Sequence, residues 1–385
     1  MKVQLRSKLP NVGTTIFTVM SQLAKEHGAI NLSQGFPDFD PPQRLKDLVS
    51  EYMNKGANQY APMAGVLELR EQIAVKTERL YGHSVDPERE ATVTVGATEA
   101  LFSAIQAFVH RGDEVIMFDP AYDSYDPAVT LAGGTSVHIP LQTPDFRIDW
   151  QRLDEAISDK TALILLNSPH NPTGAVLSSA DLDRLAEAVR DTRIVILSDE
   201  VYEHIIFDGE AHQSVLRHAE LAGRSLVVSS FGKTYHATGW KIGYCIAPPA
   251  LTVEFRKVHQ FVPFTVVTPM QYAFADYLKE APQHYLDLPD FYQEKRDRFC
   301  QLVEPSKFRF KPSRGTYFQL LDYSELSDMA DVDYANRLTR EIGVASIPIS
   351  VFCEQMSPGH HLRFCFAKDD RTLEQAAERL CEISN

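Results

Sequence analysis

Three things are scarce in this sequence, and each scarcity closes off a class of function. Cysteine is one: Cys245, Cys300, Cys353, Cys365 and Cys381 are an odd number, scattered, with no CxxC pair. A disulfide framework is therefore not expected, and free buried thiols in a reduced cytoplasmic setting are. Positive charge is another. Lys and Arg total 38 against 52 Asp and Glu, a formal charge of −14, with no basic block or stripe. Nucleic acid is not an expected partner, although local cations still decide whether a small anion binds. Long apolar runs are missing too. None is long enough to span a bilayer, so no membrane partner is expected. The polar stretch Met1 to Pro10 lacks the apolar core of a signal peptide.

What is present fits a globular protein. A chain of 385 residues with 44% apolar content holds one large domain and a smaller one. The expected division is an arm at 1–40 that also contributes to the small domain, a large domain at 41–280 and a small domain at 281–385. Short apolar runs at 91–95, 114–118, 162–166, 194–197, 225–229 and 242–246 read as strands, several of them separated by helix-length amphipathic stretches. Continuous apolar strands alternating with helices predict a mostly parallel sheet covered on both faces. The tail differs: a long helix at 290–303, then strands at 317–321 and 362–366, make a smaller α+β unit. The Pro- and Gly-rich segment LSQGFPDFDPP (32–42) reads as a connecting loop.

Ligands of open α/β sheets sit beyond the carboxyl ends of the strands, so the residues after each apolar run carry the functional reading. The first run leads into Gly96-Ala97-Thr98 at a helix start, with Thr98 near the N-cap. Small residues and free N–H groups there suit a phosphate, though the string also serves as an ordinary helix start. After the second run, an aromatic such as Tyr122 either stacks on a flat heterocycle or sits half-buried in a turn. The third ends in NSPHNPTG (167–174). Asn171, restricted by Pro172, is placed to donate to a phenolate-like oxygen and a carboxylate, unless the string is only a rigid turn. Asp199 follows the fourth run and is expected to be buried. Its partner is either a protonated pyridine nitrogen or a core cation, and Tyr202 is close enough to reach the same ring.

The stretch SSFGKTYHATGWKIG (229–243) says most. The chain turns through Phe231-Gly232, presents Lys233, and reaches Lys241 at the start of a second strand-like run, 240–247. Burial and a neighbouring cation favour the neutral, nucleophilic amine at Lys233. That suits an amine forming a Schiff base with a phosphorylated cofactor held by Ser230 and Lys241; a surface lysine is the plain alternative. His170, His204 and His236 show no metal-ligand spacing, so no metal is expected. In the tail, the alternation of LRFCF turns Arg363 away from the face of Leu362, Phe364 and Phe366. It is either a bidentate clamp for a carboxylate or an exposed edge arginine.

Together GATEA, NSPHNPTG, SDEVY, SSFGKTYHATGWKIG and HLRFCF, in this order over nearly the whole chain, closely resemble the class I aminotransferases, pyridoxal-phosphate enzymes of fold type I. Within that class the chain looks like the branch holding kynurenine aminotransferases. INLSQGFPDFD, ANQYAPM and HNP look most like the bacterial methionine aminotransferases of that branch. The resemblance implies a mostly parallel seven-stranded sheet between helices plus a smaller α+β domain. It implies that Lys233 holds the cofactor as a Schiff base and then shuttles the proton at Cα. Asp199 keeps the pyridine nitrogen protonated, Tyr202 and Asn171 bond the ring hydroxyl oxygen, and Tyr122 stacks on the ring. Gly96, Ala97, Thr98, Ser230 and Lys241 surround the phosphate. Arg363 and Asn171 take the substrate carboxylate, with the Gly35 backbone nearby. Tyr60 reaches the phosphate of a neighbouring subunit, which makes the expected assembly a homodimer with shared sites. Lys241 is a departure: many aspartate-type members carry arginine there, and lysine offers a point charge instead of a planar fork.

Phe17, Tyr60 and Phe264 are the candidate side-chain pocket. No arginine stands out among them to pair a second carboxylate, so neutral donors are expected, methionine first and aromatic amino acids next, with a 2-oxo acid as acceptor. A pyridoxal-phosphate C–S β-lyase acting on cysteine conjugates is the nearest rival, since the same carbanion serves both reactions. A pyridoxal-phosphate-binding regulator is a rival of another class. The arm before Leu32 is too short for its winged helix and has no basic recognition helix.

Overall fold

In the computed structural model the described residues are 5–354 and 359–383. Residues 1–4 of the polar N-terminal stretch, and four residues at 355–358 and two at 384–385 of the expected small domain, lie outside them. The strands in chain order are β1 (Ile30–Asn31), β2 (Ala91–Thr94), β3 (Glu114–Asp119), β4 (Thr135–Pro140), β5 (Thr161–Asn167), β6 (Val195–Asp199), β7 (Ser225–Ser230), β8 (Gly243–Ile246), β9 (Phe318–Asp322), β10 (Val344–Ala345), β11 (Ile347–Pro348) and β12 (His361–Cys365). Seven of them form one sheet in the order β2-β8-β7-β6-β5-β3-β4. Only β8 runs antiparallel to its neighbours.

Strict alternation within the apolar runs covers both faces of this sheet. Ile116, Phe118, Ile164, Leu166 and Ile196 pack into one core, whereas Val115, Met117, Leu163, Leu165 and Leu197 pack into another. Helices supply the cover. Ser179–Val189 starts from a capping box between Ser178 and Asp181 and buries Leu182, Leu185, Ala186 and Val189 at helical spacing. Each such aliphatic side chain contributes about 1.5–3 kcal/mol when fully buried.

A third core lies around the three-stranded sheet β11-β12-β9, where Phe299, Phe318, Leu321, Leu362, Phe364 and Leu373 meet Met20, Leu23 and Leu32 from the start of the chain. Backbone pairing ties these ends together. β1 runs parallel to β10, and Cys365 N–H donates to the Leu32 carbonyl at 2.8 Å.

Three sequence expectations change. β4 was not anticipated, because its TSVHIP string is an edge strand with only Ile139 fully buried and so shows no apolar run. The strand expected from 240 begins later, since Lys241 adopts a left-handed backbone (φ 55) that lifts it out of the ladder. Arg363 is on the central strand of its sheet, not an edge, and is 1% exposed.

Behind β6 and β7 lies a buried ion pair. Lys76 Nζ is 2.7 Å from Glu203 Oε1 and also contacts His204 and Tyr244. The hydroxyls of Tyr81 and Ser229 donate to the same carboxylate. Burial pushes Glu203 up, but Lys76, His204 and these donors outweigh it and hold the carboxyl well below its usual range. Glu203→Gln strands the Lys76 charge, and we expect a loss of about 3–5 kcal/mol in denaturant unfolding. The double change Lys76→Met, Glu203→Leu should recover much of it; equal losses in both variants would contradict this account.

Candidate active site

Parallel strands deliver their carboxyl ends to one edge of the sheet, and β8, running the other way, delivers its beginning there. Gly243 pairs with both Thr94 and Ser230. A cavity of about 120 Å³ opens at this edge, lined among others by Ala97, Thr98, Tyr122, Asn171, Asp199, Tyr202, Ser230, Lys233 and Lys241. The strand-end reading therefore brought together residues spread over 145 positions of sequence, from Ala97 to Lys241. A larger cavity of about 370 Å³ lies behind it and shares Tyr125 and Asn167. Of the two, the smaller is the one lined by both ionisable candidates, Lys233 and Asp199.

One end of the cavity is an anion cradle. The helix Gly96–Phe108 begins there, with Val95 and not Thr98 at its cap position, so Thr98 sits in the first turn with its N–H free of helical bonding. Gly96 (φ +68) lets Lys241 close over the helix start: a Cβ at Gly96 would lie 3.3 Å from Lys241 Nζ. Among the described residues no carboxylate lies within ion-pairing distance of Lys241. Helix N–H groups, the Ser230 hydroxyl and this ammonium are a donor set suited to a phosphate.

The middle holds the two ionisable groups. Lys233 is on the single-turn helix Phe231–Thr234, where a plain turn was expected. Its Nζ donates to Tyr317 Oη at 2.9 Å and to the Gly35 carbonyl at 3.1 Å. Burial, helped by the charges of Lys241 and Arg363, lowers this amine to about 8 against the opposing pull of Cys365 and Asp199. Asp199 is 4% exposed. It accepts from Tyr125 Oη at 2.6 Å and from Val201 N–H at 3.3 Å. Burial pushes its carboxyl up to about 6 in spite of those donors. Among the described residues it has no ion-pair partner, so a carboxylate is buried and lacks a cation, as a protonated ring nitrogen would supply.

Past Asn171, and outside the lining of the cavity, stands a candidate carboxylate clamp. Arg363 donates to Asn171 Oδ1 at 2.8 Å and to the Ser33 carbonyl at 2.9 Å. Its guanidinium stacks 3.9 Å from the Phe318 ring and faces Phe17 at 5.2 Å. Its Nε is buried without a hydrogen-bond partner. Such a planar fork, with no acid within ion-pairing distance among the described residues, matches a substrate carboxylate.

The family model for aminotransferase class I and II matches residues 27–380. The chain belongs to the class I and II aminotransferases. This aminotransferase is 54% identical to the methionine aminotransferase of Escherichia coli K12 over 98% of each chain. It is 34% identical to a kynurenine–oxoglutarate transaminase of Dictyostelium discoideum, over 96% of this chain and 94% of the other. A solved Escherichia coli structure, whose reactivity identified a methionine aminotransferase function, superposes with a TM-score of 0.97 at 54% identity, covering 99% of this chain and all of that one.

Not every expected residue of the aminotransferase lines the cavity. Tyr60 is 80% exposed and Phe264 59% exposed, and they form an edge-to-face pair at 5.1 Å on the surface. Phe17 stands beside the clamp, 6.5 Å from Tyr122 and 5.8 Å from Phe352 between ring centres. Gly35 contributes its carbonyl next to Lys233. The structure also adds residues the sequence reading did not assign. Tyr125 bonds Asp199, and Asn167 accepts from Asn171 N–H while donating to the Asp199 carbonyl. Asn167 opens the NSPHNPTG string, and Tyr125 lies three positions beyond Tyr122, which was the available signal. Tyr317 had none.

Proposed function

We propose that this aminotransferase uses pyridoxal phosphate to move the amino group of a neutral amino acid, methionine foremost, to a 2-oxo acid. Asp199, buried without an ion-pair partner among the described residues and facing the same cavity as Lys233 and the anion cradle, is the observation that carries the cofactor assignment. When bound, pyridoxal phosphate supplies an electron-withdrawing ring that takes up the electron pair of the broken Cα–H bond.

The protein residues divide the remaining work. Backbone N–H groups at Ala97 and Thr98, the Ser230 hydroxyl and Lys241 hold the phosphate. Tyr122 would hold the ring, Tyr202 and Asn171 would donate to its hydroxyl oxygen, and Asp199 would keep its nitrogen cationic. Arg363 and Asn171 fix the amino acid by its carboxylate. Lys233, with an amine lowered to about 8, removes the Cα proton as a base and returns it as an acid.

Tyr60 and Phe264 are paired and exposed, and Phe261, Val262 and Val267, close to Phe264 in sequence, are exposed as well. We read these residues as the face of a homodimer in which Tyr60 and Phe264 complete the partner's site. The division at 41–280 and 281–385, with the first 40 residues shared, is our domain proposal. The five free cysteines suit a cytoplasmic setting.

Methionine preference rests on the 54% identity to a methionine aminotransferase and on the aromatic character of Phe17, Tyr60 and Phe264, which offer no second cation. Single amino acids mixed with the cofactor-loaded protein test it through the loss of the cofactor's visible absorbance. Methionine should react fastest and aromatic donors next. Aspartate and glutamate should trail by at least about 100-fold, roughly the cost of leaving a charge unpaired in the pocket. A favoured acidic donor refutes the proposal, and pyruvate and ammonia released from a cysteine conjugate without a 2-oxo acid would select the lyase. A sedimentation mass of a single chain would remove the shared site.

A further inference from the structure

Building on the assignment of Lys233 as the proton-moving amine, we infer that the Tyr317 hydroxyl and the Gly35 carbonyl form a berth that orients the free Lys233 nitrogen and aims its lone pair into the cavity. Tyr317 touches a reacting atom and is in this sense a catalytic residue. It stands immediately before β9, fully buried. The rings of Phe318, Tyr202 and Tyr292 surround it, with centres 5.0, 5.1 and 5.7 Å away. Its position is therefore fixed by packing and not by the lysine.

The direction of each hydrogen bond follows from the inventory of donors. Tyr317 O–H has one proton, and the Gly35 carbonyl, an acceptor only, takes it at 2.5 Å. The phenol oxygen is left as an acceptor toward Lys233 Nζ at 2.9 Å, and the same nitrogen donates to the Gly35 carbonyl at 3.1 Å. A neutral amine has two N–H bonds and one lone pair. With both N–H groups engaged, tetrahedral geometry leaves the lone pair facing away from Tyr317 and Gly35. Lys233 lines the cavity and those two residues do not, so away from them is toward the cavity.

The Gly35 side of the berth is equally constrained. A Cβ there would come within 2.8 Å of the Phe318 ring, so only glycine lets this loop lie so close. Lys368 Nζ donates to the Phe36 carbonyl at 2.7 Å, and Asp369 N–H donates to Asp38 Oδ1 at 2.7 Å, which anchors the loop on its outer side. Without the phenol oxygen, one N–H loses its acceptor and the four-carbon stem regains rotamers. Misplacing a reacting group by about 1 Å costs on the order of 100-fold in rate.

Tyr317→Phe keeps the ring and its packing and removes only the oxygen. In the cofactor-loaded enzyme kcat should fall about 10- to 100-fold, with the KM for methionine changed less than about twofold, because Arg363 and Asn171 are untouched. A second readout needs no turnover. In the cofactor-free protein, trace acetylation of Lys233 followed by peptide mass across pH reports the ionisation of its amine. Loss of an acceptor that stabilises the ammonium should move the midpoint lower than in the wild type. A wild-type kcat or an unmoved midpoint overturns the berth while leaving the proposed function standing. Borohydride reduction supplies the control: cofactor mass on Lys233 supports the underlying assignment, and cofactor mass on another lysine overturns both readings. Gly35→Ala, which displaces the carbonyl, gives an independent route to the same loss of kcat.

Discussion

Lys233→Ala should reduce amino transfer by about 10⁴-fold, the combined loss of a covalent anchor and a general acid–base. No neighbour is placed to substitute. Lys241 is committed to the helix start, where its Nζ would lie 3.3 Å from a Cβ at Gly96. Arg363 stays protonated at any working pH. The wild-type enzyme gives the matching pH dependence. A base must be neutral to accept a proton, and this amine is lowered to about 8 by burial and two nearby cations. The single-turnover rate with methionine should therefore rise with pH through about 8 and then level. In Lys233→Ala the residual rate should lose that limb, and borohydride should fix no cofactor mass on the peptide containing position 233. A variant that transfers amino groups within tenfold of the wild type would end the assignment of the site.

Asp199→Asn should separate activity from stability. On the proposed function Asp199 is the partner of the ring cation, so transfer should fall by at least about 100-fold, with weaker cofactor retention. The cofactor-free protein should gain. Asp199 is raised from 3.8 to about 6 by burial. Below about pH 4 it is protonated whether folded or not and makes no difference. As pH rises through 6 the unfolded chain has lost its proton and the folded chain loses one at a cost. Stability therefore falls with rising pH by about 3 kcal/mol from this group. The asparagine variant, cofactor-free, should unfold at higher denaturant than wild type at pH 8 and at the same denaturant near pH 4. A variant less stable at pH 8 would mean that Asp199 is already paired without any ligand.

Much of this was legible because strand-end chemistry is local. A buried apolar run followed by a polar string marks both the element and the edge to which it delivers side chains, and Asp199, Asn171 and Lys233 all follow that rule. Arg363 was half legible. Alternation gave its direction, but nothing in HLRFCF shows that β12 is flanked on both sides. Tyr317 was not legible at all. It contacts Lys233 across 84 residues of sequence, and an aromatic at a strand entrance reads as core. β4 escaped because an edge strand buried on few positions shows neither an apolar run nor a clean alternation. Tyr60 and Phe264 turn outward, and no pattern in their strings shows that they leave the cavity of their own chain.

The reversed direction of β8 has a consequence for tolerance to change. Ser230 and Gly243 face each other in the ladder, and Phe231 N–H closes on the Ile242 carbonyl at 3.1 Å. The intervening excursion is thus a loop pinned at its neck, and it carries both amines of the site on one short tether. Neither can drift without dragging the other. An inserted or deleted residue between them should therefore displace both amines together, which makes this segment a poor place to cut, splice or diversify.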